Sequence, residues 1–225
     1  MTYHVEMLPF LFAAALRIMI AIYAWTRRDV PVARTFGWMM AAGALWTSVY
    51  ILHLADPTLE GKLFWQKIMY LGAAFTPALW LIVAIQITGH KNWLTRPVRL
   101  AIFTWPIIVI LSAFTNDWHH LFWTDYQLDD YKIEWNATHG PLFQVFQVPA
   151  FLLLLFNLIL FTHHFFTCPR FYRPQAILLL IGGSLPVTSR IVQVVFGVEL
   201  LDKVDQVPLW LSVSGILYVI AIFRY

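Results

Sequence analysis

A chain of 225 residues that is 60% apolar and only 12% charged has too little polar surface to face water, since soluble domains carry about a quarter of their residues as Asp, Glu, Lys and Arg. The net charge of +3 is not concentrated in one basic patch. Lys and Arg stand singly or in pairs beside apolar runs, which argues against a nucleic-acid partner and makes the lipid bilayer the expected one. Cys168 is the only cysteine, so an internal disulfide and a thiolate metal cluster are excluded.

From the N-terminus, seven apolar runs follow one another at 6–26, 34–55, 62–88, 96–115, 141–166, 173–197 and 206–224. Each is close to the roughly 20 residues that cross a hydrocarbon core. Lipid offers backbone groups no partner, so each run must bond within itself as a helix. Runs such as FLLLLFNLILF at 151–161 lack the alternation of barrel strands. The expected fold is an all-α membrane protein, a seven-transmembrane helix bundle forming one domain over 1–225. The first run has neither a basic segment before it nor a small-residue cleavage site after it, and is read as a retained span.

The connections sort by charge. The first, third and fifth hold Arg27, Arg28, Arg34, Lys91, Arg96, Arg99, Arg170 and Arg173. The second, fourth and sixth hold Asp56, Glu60, Asp117, Asp125, Asp129, Asp130, Glu134, Glu199, Asp202 and Asp205. Positive charge stays on the cytoplasmic side, so the expected topology places the N-terminus outside and the C-terminus in the cytoplasm, multi-pass in a cell membrane. Pro77, Pro106, Pro149, Pro186 and Pro208 fall in or near the starts of runs, where they kink helices and free carbonyls. The one long connection, 116–140, is rich in Trp, Tyr, His and Asp, and is expected to fold as an outer lid.

Away from the run ends, three cations, Arg17, Lys67 and Arg190, lie within the runs, with no Asp or Glu in any run interior. A buried charge is costly in lipid and marks a functional site or a structural bond. Arg17 is expected to bond a kinked neighbour, and Lys67 to snorkel outward. Around Arg190 the outer halves of several runs carry polar or aromatic pairs at helix-face spacing: Arg190 with Gln193, Gln144 with Gln147, Lys67 with Tyr70, and Tyr50 with His53, extended by Trp46. These point to an outward-facing pocket for a small ligand, anionic or aromatic. Arg190 would clamp it, the glutamines orient it, and Trp46, Tyr50, Tyr70 and Trp210 stack on it. The rival reading has Arg190 paired with Asp205, Glu199 or carbonyls freed by Pro186, and the glutamines serving as interhelical bonds.

No metal is expected. His53, His119, His120 and His139 sit near Asp117 and Asp125 on the outer side, but no HxxxH or HExxH spacing organises them. No cofactor is expected either: 206–224 has no lysine for a retinal Schiff base, no GxSxG elbow is present and no glycine-rich phosphate loop occurs. The chain shows no catalytic centre of its own.

KIMYLGAAFTPALWLIVAIQITG (67–89), FTNDWHHLFW (114–123), GPLF (140–143), YRPQAILLLIGGSLP (172–186) and DQVPLWLSVSGILYVIAIFRY (205–225), in this order and spacing, resemble the N-terminal seven-transmembrane sensor region of bacterial histidine kinases. The resemblance covers nearly the whole chain. It implies a receptor module whose last helix runs into cytoplasmic PAS, kinase or diguanylate-cyclase domains, with the phosphoacceptor histidine and ATP site downstream of Tyr225. On that expectation the chain is an excised sensor or a stand-alone variant. It also implies a homodimer, because kinase output in such proteins works between protomers. The pocket rests on the residues alone, since Arg190 matches no pattern of that family. Two other functions stand against the receptor: a small-solute transporter or channel, and a ligand-free assembly module for a partner kinase.

Overall fold

The computed structural model describes residues 4–27, 29–128, 135–196 and 204–224. For residues 190, 191 and 193–196 it describes the backbone alone. Nine α-helices appear among these residues: α1 (Met7–Thr26), α2 (Ala33–Ala55), α3 (Leu59–Ala73), α4 (Phe75–Ile87), α5 (Arg96–Phe114), the short α6 (Asn116–His119), α7 (Pro141–Thr167), α8 (Arg173–Phe196) and α9 (Val207–Phe223). The helices coincide with the apolar runs to within a few residues, as self-satisfied backbone in lipid requires. Five are long and apolar enough to cross a membrane, counting α3 and α4 as the single stretch Leu59–Ile87, and α9 is a shorter apolar helix. The architecture is that of a multi-pass helical membrane bundle.

The run expected at 62–88 differs in two ways. It starts earlier, because Thr58 caps α3 by accepting from the Gly61 N–H at 3.1 Å. It is also broken at Ala74. Pro77 has no N–H to give the carbonyl of Ala73, so the ladder lapses there, and the Thr76 hydroxyl bonds the Gly72 carbonyl at 3.0 Å. Gly72 itself is a contact point. A Cβ there would strike the Ala42 carbonyl and come within 2.7 Å of the Trp46 amide, so α2 and α3 meet backbone to backbone, as small residues permit in membrane bundles.

α1 packs along α2, α2 along α3, and α8 along α9, while α9 returns to α1 and α2. α4 runs through the middle against α2, α5 and α7, and Ala78 and Trp80 through Ile85 are all buried. α5 and α7 are peripheral, with Leu100, Leu111, Leu152 and Leu155 more than half exposed to the surroundings, as lipid-facing helices should be. Three apolar clusters result among the described residues. The largest, including Phe36, Trp80, Phe161, Leu179 and Tyr218, fills the half nearest the basic connections. Another sits between the start of α1, the end of α2 and α3.

The third cluster lies beneath the two strands found among the described residues, in the stretches 116–128 and 135–140 at the bundle end. Strands β1 (Trp123–Leu128) and β2 (Trp135–His139) pair antiparallel, from Trp123 opposite His139 to Leu128 opposite Trp135. Phe122 and Trp123 point into the bundle, 1% and 0% exposed, and edge-stack on Tyr70 with centroids 5.3 and 5.8 Å away. Such aromatic pairs add about 0.5–1.5 kcal/mol beyond burial.

Candidate functional site

Among the described residues, Arg17 of α1 is a charge held deep in the bundle interior, 1% exposed. As expected from its position, it bonds neighbouring helices: Nη1 donates to the Gly43 carbonyl at 2.6 Å and to the Thr47 hydroxyl at 3.0 Å, and Nη2 to the Pro208 carbonyl at 2.6 Å. Pro208 stands at the first turn of α9, so Arg17 ties α1 to α2 and to the start of α9 through neutral acceptors. Charge-assisted bonds of this kind offset part of the desolvation cost of a buried guanidinium.

Below that level a polar seam joins α4, α8 and α9. The Trp80 indole donates to the Tyr218 hydroxyl at 2.7 Å, Ser214 donates to the Gly182 carbonyl at 2.6 Å, and the Gln175 amide to the Ala221 carbonyl at 2.7 Å. Together with Phe36, Phe161 and Leu179, this layer closes the bundle on the side of the basic connections.

At the hairpin end, α2 and α3 exchange two bonds. Lys62 Nζ donates to the His53 carbonyl at 2.8 Å, and His53 Nδ1 lies 3.0 Å from the Lys62 carbonyl; both residues are 0% exposed. The bend between the helices is set by Asp56, which accepts from the Thr58 amide, the Thr58 hydroxyl and the Trp65 indole at 3.0, 2.7 and 3.2 Å. Those donors hold the Asp56 carboxylate below its ordinary range, the Thr58 hydroxyl foremost. Gly61 makes the approach possible, because a Cβ there would overlap the carboxylate.

Between these layers lies a cavity of 520 Å³, within the range of small-molecule sites. α2 contributes Trp46 and Tyr50; α3 and α4 contribute Gln66, Tyr70 and Trp80; α5 contributes Trp105. α7 supplies Phe146, Gln147 and Leu154, α8 supplies Pro186, α9 supplies Leu211, and the hairpin region supplies Phe122, Trp135 and His139. Asp205, just before α9, also reaches it, and its backbone N–H donates to the Tyr50 hydroxyl at 2.7 Å.

The residues singled out from the sequence divide. Trp46, Tyr50, Tyr70 and Gln147 line this cavity. Lys67 does not: it bonds both oxygens of Asp117 at 2.7 and 2.6 Å, an ion pair to the base of the hairpin rather than an outward-reaching chain. His53 is held under α3 by Lys62. Gln144 is exposed on α7, and Trp210, partly buried on α9, is not in the cavity wall. Arg190 and Gln193 lie on α8, where only backbone is described, and Glu199, one of the rival partners of Arg190, lies outside the described residues. Pro186, one turn before Arg190, is in the wall.

Residues four apart diverge by about 40° around a helix and residues three apart by about 60°. Both spacings occur in the wall: Trp46 with Tyr50 and Gln66 with Tyr70 are four apart, Phe143 with Phe146 and Gln147 with Ala150 three apart. Gln66, Trp105 and Trp135 are wall residues that the spacing did not single out, and His139 stood out only as one of the outer histidines. Only the aromatic density of 116–140 hinted at Trp135.

His119, one of the outer histidines, is engaged locally: its Nδ1 accepts from the Leu121 amide at 2.9 Å, and its Nε2 lies 3.2 Å from the Thr115 hydroxyl. Among the described residues, no group of three or more His, Cys, Asp or Glu side chains comes together to hold a metal.

No curated protein matches the chain. Residues 9–225 match the family described as the N-terminal 7TM region of histidine kinase. The match runs through every helix that builds the cavity, and the chain therefore belongs to that family, the multi-pass membrane sensor region of histidine kinases, which is not itself catalytic.

Proposed function

We propose that this sensor region is a seven-span receptor that binds a small ligand in the hairpin-end cavity and passes the signal through α9 to a cytoplasmic kinase or cyclase domain. In this reading the hairpin end is outside. Its support is charge: Arg27, Arg34, Lys91, Arg96, Arg99, Arg170, Arg173 and Arg224 all belong to the opposite end, where cytoplasmic loops carry Lys and Arg.

The observation that carries the reading is the 520 Å³ cavity walled by Trp46, Tyr50, Tyr70 and Trp105, above a packed layer at Trp80 and Tyr218. A pocket open through one half and packed through the other suits reception rather than passage. An aromatic wall favours an aromatic ligand, and Arg190, one turn beyond Pro186 on α8, supplies a cation for an acidic group. α9 is in the wall at Leu211 and is bonded to α4 through Trp80 and Tyr218. A ligand that prefers one arrangement of α4 against α9 shifts their equilibrium by its difference in affinity for the two. The output works between two protomers.

A thermal-shift screen of small aromatic carboxylates tests the reading. A ligand of the cavity raises the melting temperature of the wild-type protein; Trp46→Ala removes that shift and Arg190→Ala reduces it. Equal stabilisation of all three proteins by every active compound refutes the site.

A further inference from the structure

The cavity extends along α7, and its two ends differ chemically. From Phe143 to Leu154 the α7 wall spans eleven residues, about 16 Å at the helical rise. One leaflet of a hydrocarbon core is about 15 Å deep. At the floor, polar atoms are already engaged: the Thr76 hydroxyl bonds the Gly72 carbonyl and the Trp80 indole bonds Tyr218. Leu154 and Leu211 complete an apolar base.

Nearer the hairpin the wall carries Gln66, Tyr70 and Gln147, whose side chains hydrogen-bond no other described residue. The side toward lipid is thin. α7 has no buried residue before Asn157, and Phe151 both lines the cavity and is 51% exposed on the bundle surface. On the α5 side, by contrast, Trp105 closes on Phe146 with centroids 5.0 Å apart.

The geometry points to a single-chain amphiphile of the hairpin-side leaflet as the ligand, entering past Phe151, its polar head at Gln66, Tyr70 and Gln147 and its apolar body against Leu154 and Leu211. The inference rests on the cavity being the receptor site and names what fills it. A volume of 520 Å³ holds one chain or ring system rather than a two-chain lipid. The ligand's apolar body never has to leave a hydrocarbon environment, so specificity resides in the head.

The test uses the intact protein in nanodiscs, titrated with a dibrominated stearate that quenches tryptophan on contact, and with water-soluble phenylacetate followed by thermal shift. Trp46, Trp80, Trp105 and Trp135 report from the wall. The expected result is a saturable quenching phase above the linear one caused by surrounding lipid, abolished by Ala150→Phe, which fills the cavity. Gln147→Leu supplies a milder change: it weakens the saturable phase about tenfold, the effect of one lost bond to a charged head, and leaves quenching by a brominated alkane without a head unchanged. Linear quenching that is the same in all three proteins overturns the inference. If phenylacetate still stabilises the protein in that case, the small-ligand reading survives alone; if neither probe acts on the cavity, both fail.

Discussion

Asn116 holds the hairpin on the bundle, and its replacement has a calculable effect. Its side chain is 1% exposed. Oδ1 accepts from the amides of Phe122 and Trp123 at 2.9 and 3.0 Å, and Nδ2 donates to the Trp123 carbonyl at 3.1 Å. Asn116→Ala strips three buried backbone groups of their partner. A single unsatisfied buried group costs about 1–3 kcal/mol. Water entering the vacated space recovers part of this, leaving a local destabilisation of about 2–4 kcal/mol.

Because Gly140 and Leu142 donate to the carbonyls of Phe122 and Leu121 at 2.9 and 3.0 Å, the loss is confined to the hairpin base and the cavity roof. Hydrogen–deuterium exchange is the assay. Amides of 121–128 should lose protection by roughly thirtyfold to several hundredfold, since 1.4 kcal/mol is a factor of ten, while α2 and α4 keep theirs. Asn116→Asp keeps the acceptor but turns a carboxylate toward the Trp123 carbonyl, so its loss is intermediate. Unchanged exchange over 121–128, or a uniform rise in every helix, refutes the argument that Asn116 acts locally.

Two further outcomes follow from the bonds already described. The Asp56 carboxyl is depressed in the folded protein from its ordinary 3.8, so the stability it contributes is complete above that value and disappears as pH falls through the lower folded one; thermal melts across that acidic range should show a decline that Asp56→Asn lacks. Tyr218→Phe leaves the buried Trp80 indole without its acceptor and should lower stability by about 1–3 kcal/mol, read by denaturation, and in a kinase-linked protein it should alter the ligand response.

The apolar runs at 96–115, 141–166 and 173–197 became helices Arg96–Phe114, Pro141–Thr167 and Arg173–Phe196 because a backbone in hydrocarbon has one local solution. Lys67 shows where such reasoning stops. Its position near a helix end allowed snorkelling, but its partner, Asp117, lies beyond the whole of α5, and nothing local encodes that meeting. His53 is similar: its helix face was predictable, but its burial depends on Lys62 arriving from α3. The cavity wall draws residues from α2, α3, α4, α5, α7, α8 and α9 and from the hairpin, so it exists only once those elements have been placed.

Composition, run length and the separation of cations from carboxylates by themselves determine a lipid-embedded helical chain, since these follow from the poor solvation of backbone and charge in hydrocarbon. The pairing of Arg17 with the Pro208 carbonyl, the break of the long third run at Ala74 and the folding of Trp123 into the bundle were decided only by tertiary structure. Each depends on which helix face meets which neighbour, and in a membrane that choice is made by close packing and individual hydrogen bonds rather than by hydrophobicity, which all the lipid-facing surfaces share.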